Sequence, residues 1–314
     1  MCFIVPYSWC LCGIGVWYVY ADQNSSLEKS MAVQPVVKWV GGKRQLLPEI
    51  VARVPKAFDP GTSTYYEPFL GGAAVLFGLS PQKAVVNDSN EGLINVYQVV
   101  RDDVDELIVL LSTYPNSPDF YREIRALDRD DEIFASLSDV EKAARFIYLN
   151  KTCFNGLYRV NKKGYFNTSF GKYKNPKICD EETLRDVSKY LNTANIDFRV
   201  GDFEQCVEGA VEGDFVYFDP PYVPLSTTSS FTRYTSDGFA LEDQLRLRHV
   251  VDDLTERGVS VMLSNSSSPL VLDLYTNYHV FTVRANRRVN TVGAGRGKID
   301  EVIITNYPVS VTVA

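Results

Sequence analysis

Short apolar runs alternating with helical segments constrain this chain more than any other feature. TYYEPFL (64–70), KAVVND (83–88), IDFRV (196–200), FVYF (215–218) and VSVMLS (259–264) each read as a strand, and helical spacing follows most of them. Such alternation argues for an α/β fold with a mostly parallel sheet covered on both faces. YHVFTVRA (278–285) and DEVIITNYP (300–308) have no helix between them, which predicts an antiparallel strand at one edge. Residues 95–190 break the rule. DELIVLLSTY, DFYREIRALD and DVEKAARFIYLNK are helical patterns with no strand among them. The expected organisation is therefore a sheet domain in two pieces, 31–94 and 191–314, split by a helical insertion at 95–190.

Net charge is −7, so the whole chain does not advertise a polyanionic partner. The average conceals two acid-free stretches. Residues 151–177 hold Lys151, Arg159, Lys162, Lys163, Lys172, Lys174 and Lys177; residues 280–299 hold Arg284, Arg287, Arg288, Arg296 and Lys298. The rest is strongly acidic. Two basic patches on an acidic body, one of them studded with aromatics, point to local phosphate binding and hence to nucleic acid. A merely solvated face is the alternative.

The six cysteines form no C-x-x-C pair, and His249 and His279 are the only histidines. No zinc site and no disulfide framework is expected, and a reducing cytoplasm fits. CFIVPYSWCLCGIGVWYVYA, near the start, is apolar over the length that spans a bilayer. It lacks a basic leader and a small-residue cleavage site, and Pro6, Gly13 and Gly15 make a mediocre membrane helix. Residues 1–30 are expected to be a non-functional extension; a membrane anchor is the alternative, and no stable membrane association is expected.

EPFLGGA (67–73) places two glycines between a strand and a helix, and Asp88 ends the next strand. In doubly wound folds such a turn lets the backbone approach a cofactor, and an acid about that far on accepts from ribose hydroxyls. The stronger signal is FVYFDPPY (215–222). Asp219 falls at the carboxyl end of a buried strand, where ligands bind in open α/β sheets. Pro220 and Pro221 hold an extended course and donate nothing, so their carbonyls are expected to be free for a ligand. Tyr222 adds a flat face for a planar ring. A carboxylate, a carbonyl and a stacking ring can receive an amino group on a heteroaromatic base.

DPPY following EPFLGGA resembles the amino-methyltransferases that use S-adenosylmethionine, in the order of the alpha group. KWVGGK (38–43) and FNGLYRVNKKGYFNTSFGKYK (154–174) narrow the likeness to the Dam-type, D12-class DNA adenine-N6 methyltransferases. The similarity runs from about Lys38 to Tyr307. It implies a Rossmann-like methyltransferase sheet, with 95–190 as a target-recognition domain carrying a basic β-hairpin loop. It implies that Trp39, Lys43, Glu67, Phe69, Gly71, Asp88, Asp202, Phe203 and Asp219 hold S-adenosylmethionine. Asp219, Pro220, Pro221 and Tyr222 would hold a flipped adenine. Lys38, Phe154, Asn155, Leu157, Arg159, Ser169 and Lys174 would face duplex DNA, with Phe154 as a wedge and Arg159 reading a guanine.

The chain departs from the family pattern at Ala73, where a third glycine is common, and at Ser169, where family loops often carry proline. The expected target is GATC, and a cognate restriction endonuclease is a possible partner. RNA adenine or cytosine-N4 methylation, or a catalytically inactive nucleic-acid-binding module, are the alternatives.

Overall fold

The computed structural model describes residues 33–223, 239–286 and 298–309. The extension 1–30 and Arg287, Arg288 and Arg296 of the second basic stretch lie outside them. Seven strands form one sheet: β1 (Tyr65–Glu67), β2 (Lys83–Asp88), β3 (Asn195–Val200), β4 (Phe215–Phe218), β5 (Ser260–Ser266), β6 (His279–Asn286) and β7 (Lys298–Thr305). Their order is β3-β2-β1-β4-β5-β7-β6. β1 to β5 pair in parallel, whereas β7 runs against both β5 and β6. The antiparallel pairing thus falls at one edge, with β7 inserted one place in from β6.

The helices are α1 (Leu47–Val51), α2 (Ala74–Leu79), α3 (Glu91–Asp102), α4 (Val104–Ser112), α5 (Pro118–Ala126), α6 (Asp131–Ser136), α7 (Asp139–Thr152), α8 (Glu181–Thr193), α9 (Phe203–Val207), α10 (Leu241–Glu256) and α11 (Pro269–Leu274). One long helical pattern is cut in two at Asp103, whose φ of −133° ends α3. Starts are set by side chains. Asn90 accepts from the Leu93 N–H, and Ser138 with Glu141 closes a capping box on α7.

Alternation along each strand splits the core in two. Tyr65, Phe215, Tyr217, Met262 and Ile303 pack on one face with α2, α3, α7 and α8. Tyr66, Val216, Phe218, Leu263 and Ile304 pack on the other with α9, α10 and α11. Both faces of the inner parallel strands β1, β2, β4 and β5 are covered, which is why they read as apolar runs, whereas β3 at the edge is largely exposed and carries Asp197 and Arg199. The helices of 95–190 share the first core rather than building their own. The basic segment after α7 is drawn into a loose hairpin by two isolated antiparallel bridges, Cys153 with Phe170 and Val160 with Phe166. Among the described residues no helix is long and apolar enough to cross a membrane.

Candidate active site

β1 has β2 on one side and β4 on the other, so the chain leaves it in opposite directions and a crevice opens at the carboxyl ends. A cavity of about 400 Å³ lies there, lined by Phe69, Asp88, Asp202, Phe203, Pro221 and Phe239 among others. Phe69 and Phe203 stack with centroids 5.4 Å apart, and Phe239 meets Phe69 edge-on at 5.5 Å. Asp88 stands at the end of β2. Its two oxygens accept from the Gly71 and Asn90 N–H groups, each at 2.9 Å, so it shapes the glycine turn. Burial raises its pKa, and those two donors oppose the rise. Asp202 caps α9 through the Glu204 N–H and pairs with Arg246 at 2.8 Å. Arg246 also binds Glu204 and Asp243 and lies over the Phe203 ring, fixing this wall.

A smaller pocket adjoins, lined by Trp39, Lys43, Glu67, Gly71 and Asp219 among others. Gly71 has a φ of +49°, and a Cβ there would lie 2.7 Å from Cδ1 of Trp39. Asp219 follows β4 directly. Its Oδ1 is 2.6 Å from the Lys43 Nζ, with side-chain exposures of 19% and 5%. Lys43 also donates to the Gly41 carbonyl at 2.7 Å and stands 4.7 Å over the Tyr222 ring. Burial raises the Asp219 pKa, and the Lys43 ammonium pulls it back. Tyr222 donates to Glu301 of β7 at 2.9 Å.

The expectation that both proline carbonyls face a ligand is corrected for Pro221. Its carbonyl accepts from Gln244 Nε2 at 3.2 Å. Gln244 and Asn265 are buried and share a hydrogen bond at 3.4 Å; Asn265 Oδ1 also accepts from the Val223 N–H. Ser266 donates to the Val223 carbonyl at 2.6 Å. These side chains lock the exit of the DPPY turn. The expectation is carried forward for the Pro220 carbonyl alone.

Glu67 is 2% exposed and accepts from the Tyr65 hydroxyl at 2.9 Å. Burial lifts its pKa to about 8, with Asp219 adding to the rise and the Tyr65 bond and Lys43 opposing it. Between its ordinary value of 4.5 and about 8 the folded chain therefore holds a proton that the unfolded chain has lost. Its contribution to stability is complete below 4.5 and is lost as pH rises through about 8, by up to about 1.4 kcal/mol per pH unit. Glu67→Gln keeps the Tyr65 contact and removes the titration. Thermal melts should show the variant matching the parent near pH 4 and exceeding it near pH 8.

The basic hairpin presents Phe154 at 55% exposure. Asn155 has a φ of +57° and its N–H donates to the Tyr173 hydroxyl at 2.9 Å. Leu157 is half-buried. Arg159 is exposed, and Asn167 Oδ1 accepts from its Nε at 2.7 Å, holding the guanidinium in one orientation. Ser169 is exposed and its carbonyl accepts from the Phe154 N–H; Lys174 is exposed. Lys38 lies 4.9 Å over the Tyr173 ring. The loop is tied to its helices by Asp128, which accepts from the Phe166 N–H at 2.7 Å and pairs with Arg145 at 2.8 Å. Gln244, Asn265, Glu301 and Asp128 were not singled out from sequence. For Asn265 the available signal was a polar residue in an otherwise apolar stretch, VMLSNS; Gln244 and Asp128 sit in polar stretches that carry no such signal.

The doubly wound sheet, with a crevice at the carboxyl ends of its strands and a carboxylate following β4, is the architecture of α/β enzymes that bind a cofactor at that edge. Comparison with known proteins gives the family. A family model described as D12 class N6 adenine-specific DNA methyltransferase matches residues 39–289, and the chain belongs to that family. It is 50% identical over 286 residues to a type II methyltransferase of Lactococcus lactis subsp. cremoris, covering 90% of this chain and 99% of that protein. It is 44% identical over 293 residues to a type II methyltransferase of Methanocaldococcus jannaschii, covering 88% and 100%. A DNA adenine methylase of Escherichia coli is 31% identical over 276 residues, covering 87% and 95%. The protein is an adenine-specific DNA methyltransferase that uses S-adenosylmethionine.

Proposed function

We propose that the chain methylates the N6 amino group of an adenine flipped out of duplex DNA, within GATC, and that Asp219 is the group that receives the amine. The Lys43–Asp219 pair at the end of β4, buried at the ammonium and half-buried at the carboxylate, carries this reading. A carboxylate desolvated at the mouth of a cofactor crevice needs a partner, and Lys43 supplies one until a base arrives. Residues 31–94 and 191–314 form the catalytic part, and 95–190 the target-recognition part.

The crevice fits the cofactor. Phe69 and Phe203 offer aromatic walls for its adenine, and Asp88 and Asp202 acceptors for its hydroxyl and amino groups, while Gly71 leaves room for the Trp39 edge that walls the neighbouring pocket. Trp39, Lys43 and Glu67 line the neighbouring pocket. When bound, S-adenosylmethionine supplies an electrophilic methyl on a sulfonium sulfur, which keeps the C–S pair as the amine lone pair forms the new N–C bond.

The N6 lone pair is delocalised into the adenine ring. Asp219 and the Pro220 carbonyl accept its two hydrogens, favouring the pyramidal amine over the flat one. Asp219 then takes the surplus proton and passes it to solvent. Tyr222, steadied by Glu301, stacks on the flipped ring once Lys43 has moved off its face. Flipping costs a few kcal/mol of unstacking, which Tyr222 and the Phe154 wedge offset. Arg159, held by Asn167, reads a guanine, while Lys38, Asn155, Leu157, Ser169 and Lys174 complete the DNA-facing set.

The two type II relatives support a further element, a cognate endonuclease cutting the same site. The cytoplasm is the proposed compartment. Labelled-methyl transfer to two duplexes, identical except for one GATC changed to GTTC, tests the target. Label should enter only the first, as N6-methyladenine. Equal labelling would move the recognition site elsewhere, and methylcytosine in the digest would overturn the adenine assignment.

A further inference from the structure

Asn150, in the last turn of α7, is fully buried, and its amide is committed in two directions. Its Oδ1 accepts from the Lys38 N–H at 2.8 Å, and its Nδ2 donates to the Lys38 carbonyl at 2.7 Å. It therefore pairs with both peptide groups of Lys38 as a neighbouring strand would. The same Nδ2 donates to the Gly156 carbonyl at 3.1 Å, inside the loop that carries Phe154 and Arg159. The two segments touch closely: a Cβ on Gly156, whose φ is +64°, would lie 2.7 Å from Cδ of Lys38.

The next residue, Trp39, carries the contact to the cofactor side. It stacks on Tyr158 at 5.8 Å and on Phe146 at 6.2 Å, and its edge fills the space over Gly71. A continuous packed path thus runs from the glycine turn through Trp39, Lys38 and Asn150 to Gly156. Buried amides that satisfy backbone groups on two separate segments fix the spacing between them, because slippage leaves donors and acceptors unpaired.

We propose that Asn150 is a specificity-determining positioning residue: it makes the Lys38–Trp39 turn and the loop 153–159 one body, so that the DNA-facing side chains keep a single spacing from the cofactor wall. This rests on the reading of 154–159 as the DNA-reading loop. Sequence discrimination then depends on Asn150 although it touches neither base nor cofactor. A wrong base is rejected because Arg159 and Lys38 cannot shift independently to accommodate it.

The test compares kcat/KM on the unmethylated target duplex with that on duplexes changed at one base beside the target adenine. It uses the full chain, Asn150→Leu, and Asn306→Leu as a control. Asn306 makes the same amide-to-peptide pattern with Val259 and Val261, but at the amino end of β5, away from the crevice. Asn150→Leu should lose roughly tenfold in discrimination, mostly through faster turnover of wrong duplexes relative to the right one. Asn306→Leu should lose melting temperature and keep its discrimination. A folded Asn150→Leu that discriminates like the parent overturns the proposal.

Amide hydrogen exchange on the unaltered chain gives a second measurement that does not need a folded variant. S-adenosylhomocysteine alone should slow exchange in residues 153–159, and its binding without such protection also overturns the proposal. A chain that binds no cofactor and methylates no duplex fails the functional reading instead.

Discussion

Asp219→Ala should leave a folded protein that binds cofactor and DNA yet transfers methyl groups about 10³-fold more slowly. The argument starts from where the carboxylate sits. Four buried residues of β4 deliver it to the carboxyl end of the sheet, and the two prolines after it carry the chain on without demanding a ladder partner. Removing it does not strand Lys43, because the ammonium keeps the Gly41 carbonyl and the Tyr222 face. The fold should therefore survive, which separates this variant from one that is merely unstable. The loss should appear in kcat, since the interaction counts most when the amine becomes pyramidal. Asp219→Asn retains an acceptor oxygen without the charge and should fall between the parent and the alanine variant. Single-turnover methyl transfer, with melting curves run in parallel, measures both.

Gly71→Ala should weaken S-adenosylmethionine binding by about 100-fold or more, a loss of roughly 2.7 kcal/mol. Two effects combine. The residue sits at φ +49°, where a Cβ costs about 1–2 kcal/mol. The new Cβ also lies 2.7 Å from the Trp39 indole, which must move. Trp39 cannot retreat freely, because Phe146 and Tyr158 stack behind it. The wall of the cofactor crevice is therefore what deforms. Gly164→Ala provides the contrast. It shares a positive φ of +81° but meets nothing within 4 Å, so backbone strain acts there alone. Titration calorimetry should find cofactor affinity near that of the parent in Gly164→Ala and strongly reduced in Gly71→Ala.

The parts of this architecture that were legible in the sequence are those with a local cause. β1, β2, β4 and β5 announce themselves as apolar runs because both faces of an inner parallel strand are buried, while β3, at the edge, is legible from Ile196, Phe198 and Val200 alone. The turn at Gly71 and the Asp219-Pro220-Pro221 stop are legible because φ restrictions write themselves into residue choice. What depends on distant partners was not legible. Nothing local tells β7 to insert between β5 and β6, since both strands carry the same alternation. The Pro221 carbonyl looked free because its partner, Gln244, is an ordinary polar residue of an amphipathic helix until the fold buries it. Asn150 likewise reads as an unremarkable polar position on α7. Its meaning comes from Lys38 and Gly156, which the fold brings to it from two other segments. The Lys43–Asp219 pair belongs with these, because KWVGGK and DPPY each suggest a ligand contact and neither suggests the other.

The most direct measurement is a crystal structure of the chain with S-adenosylhomocysteine and a duplex containing its target. The account predicts the target adenine out of the helix, its N6 within hydrogen-bond distance of the Asp219 carboxylate, its ring on Tyr222, and the Lys43 ammonium displaced from both. An intact Lys43–Asp219 pair with the extruded base held by other groups would contradict it.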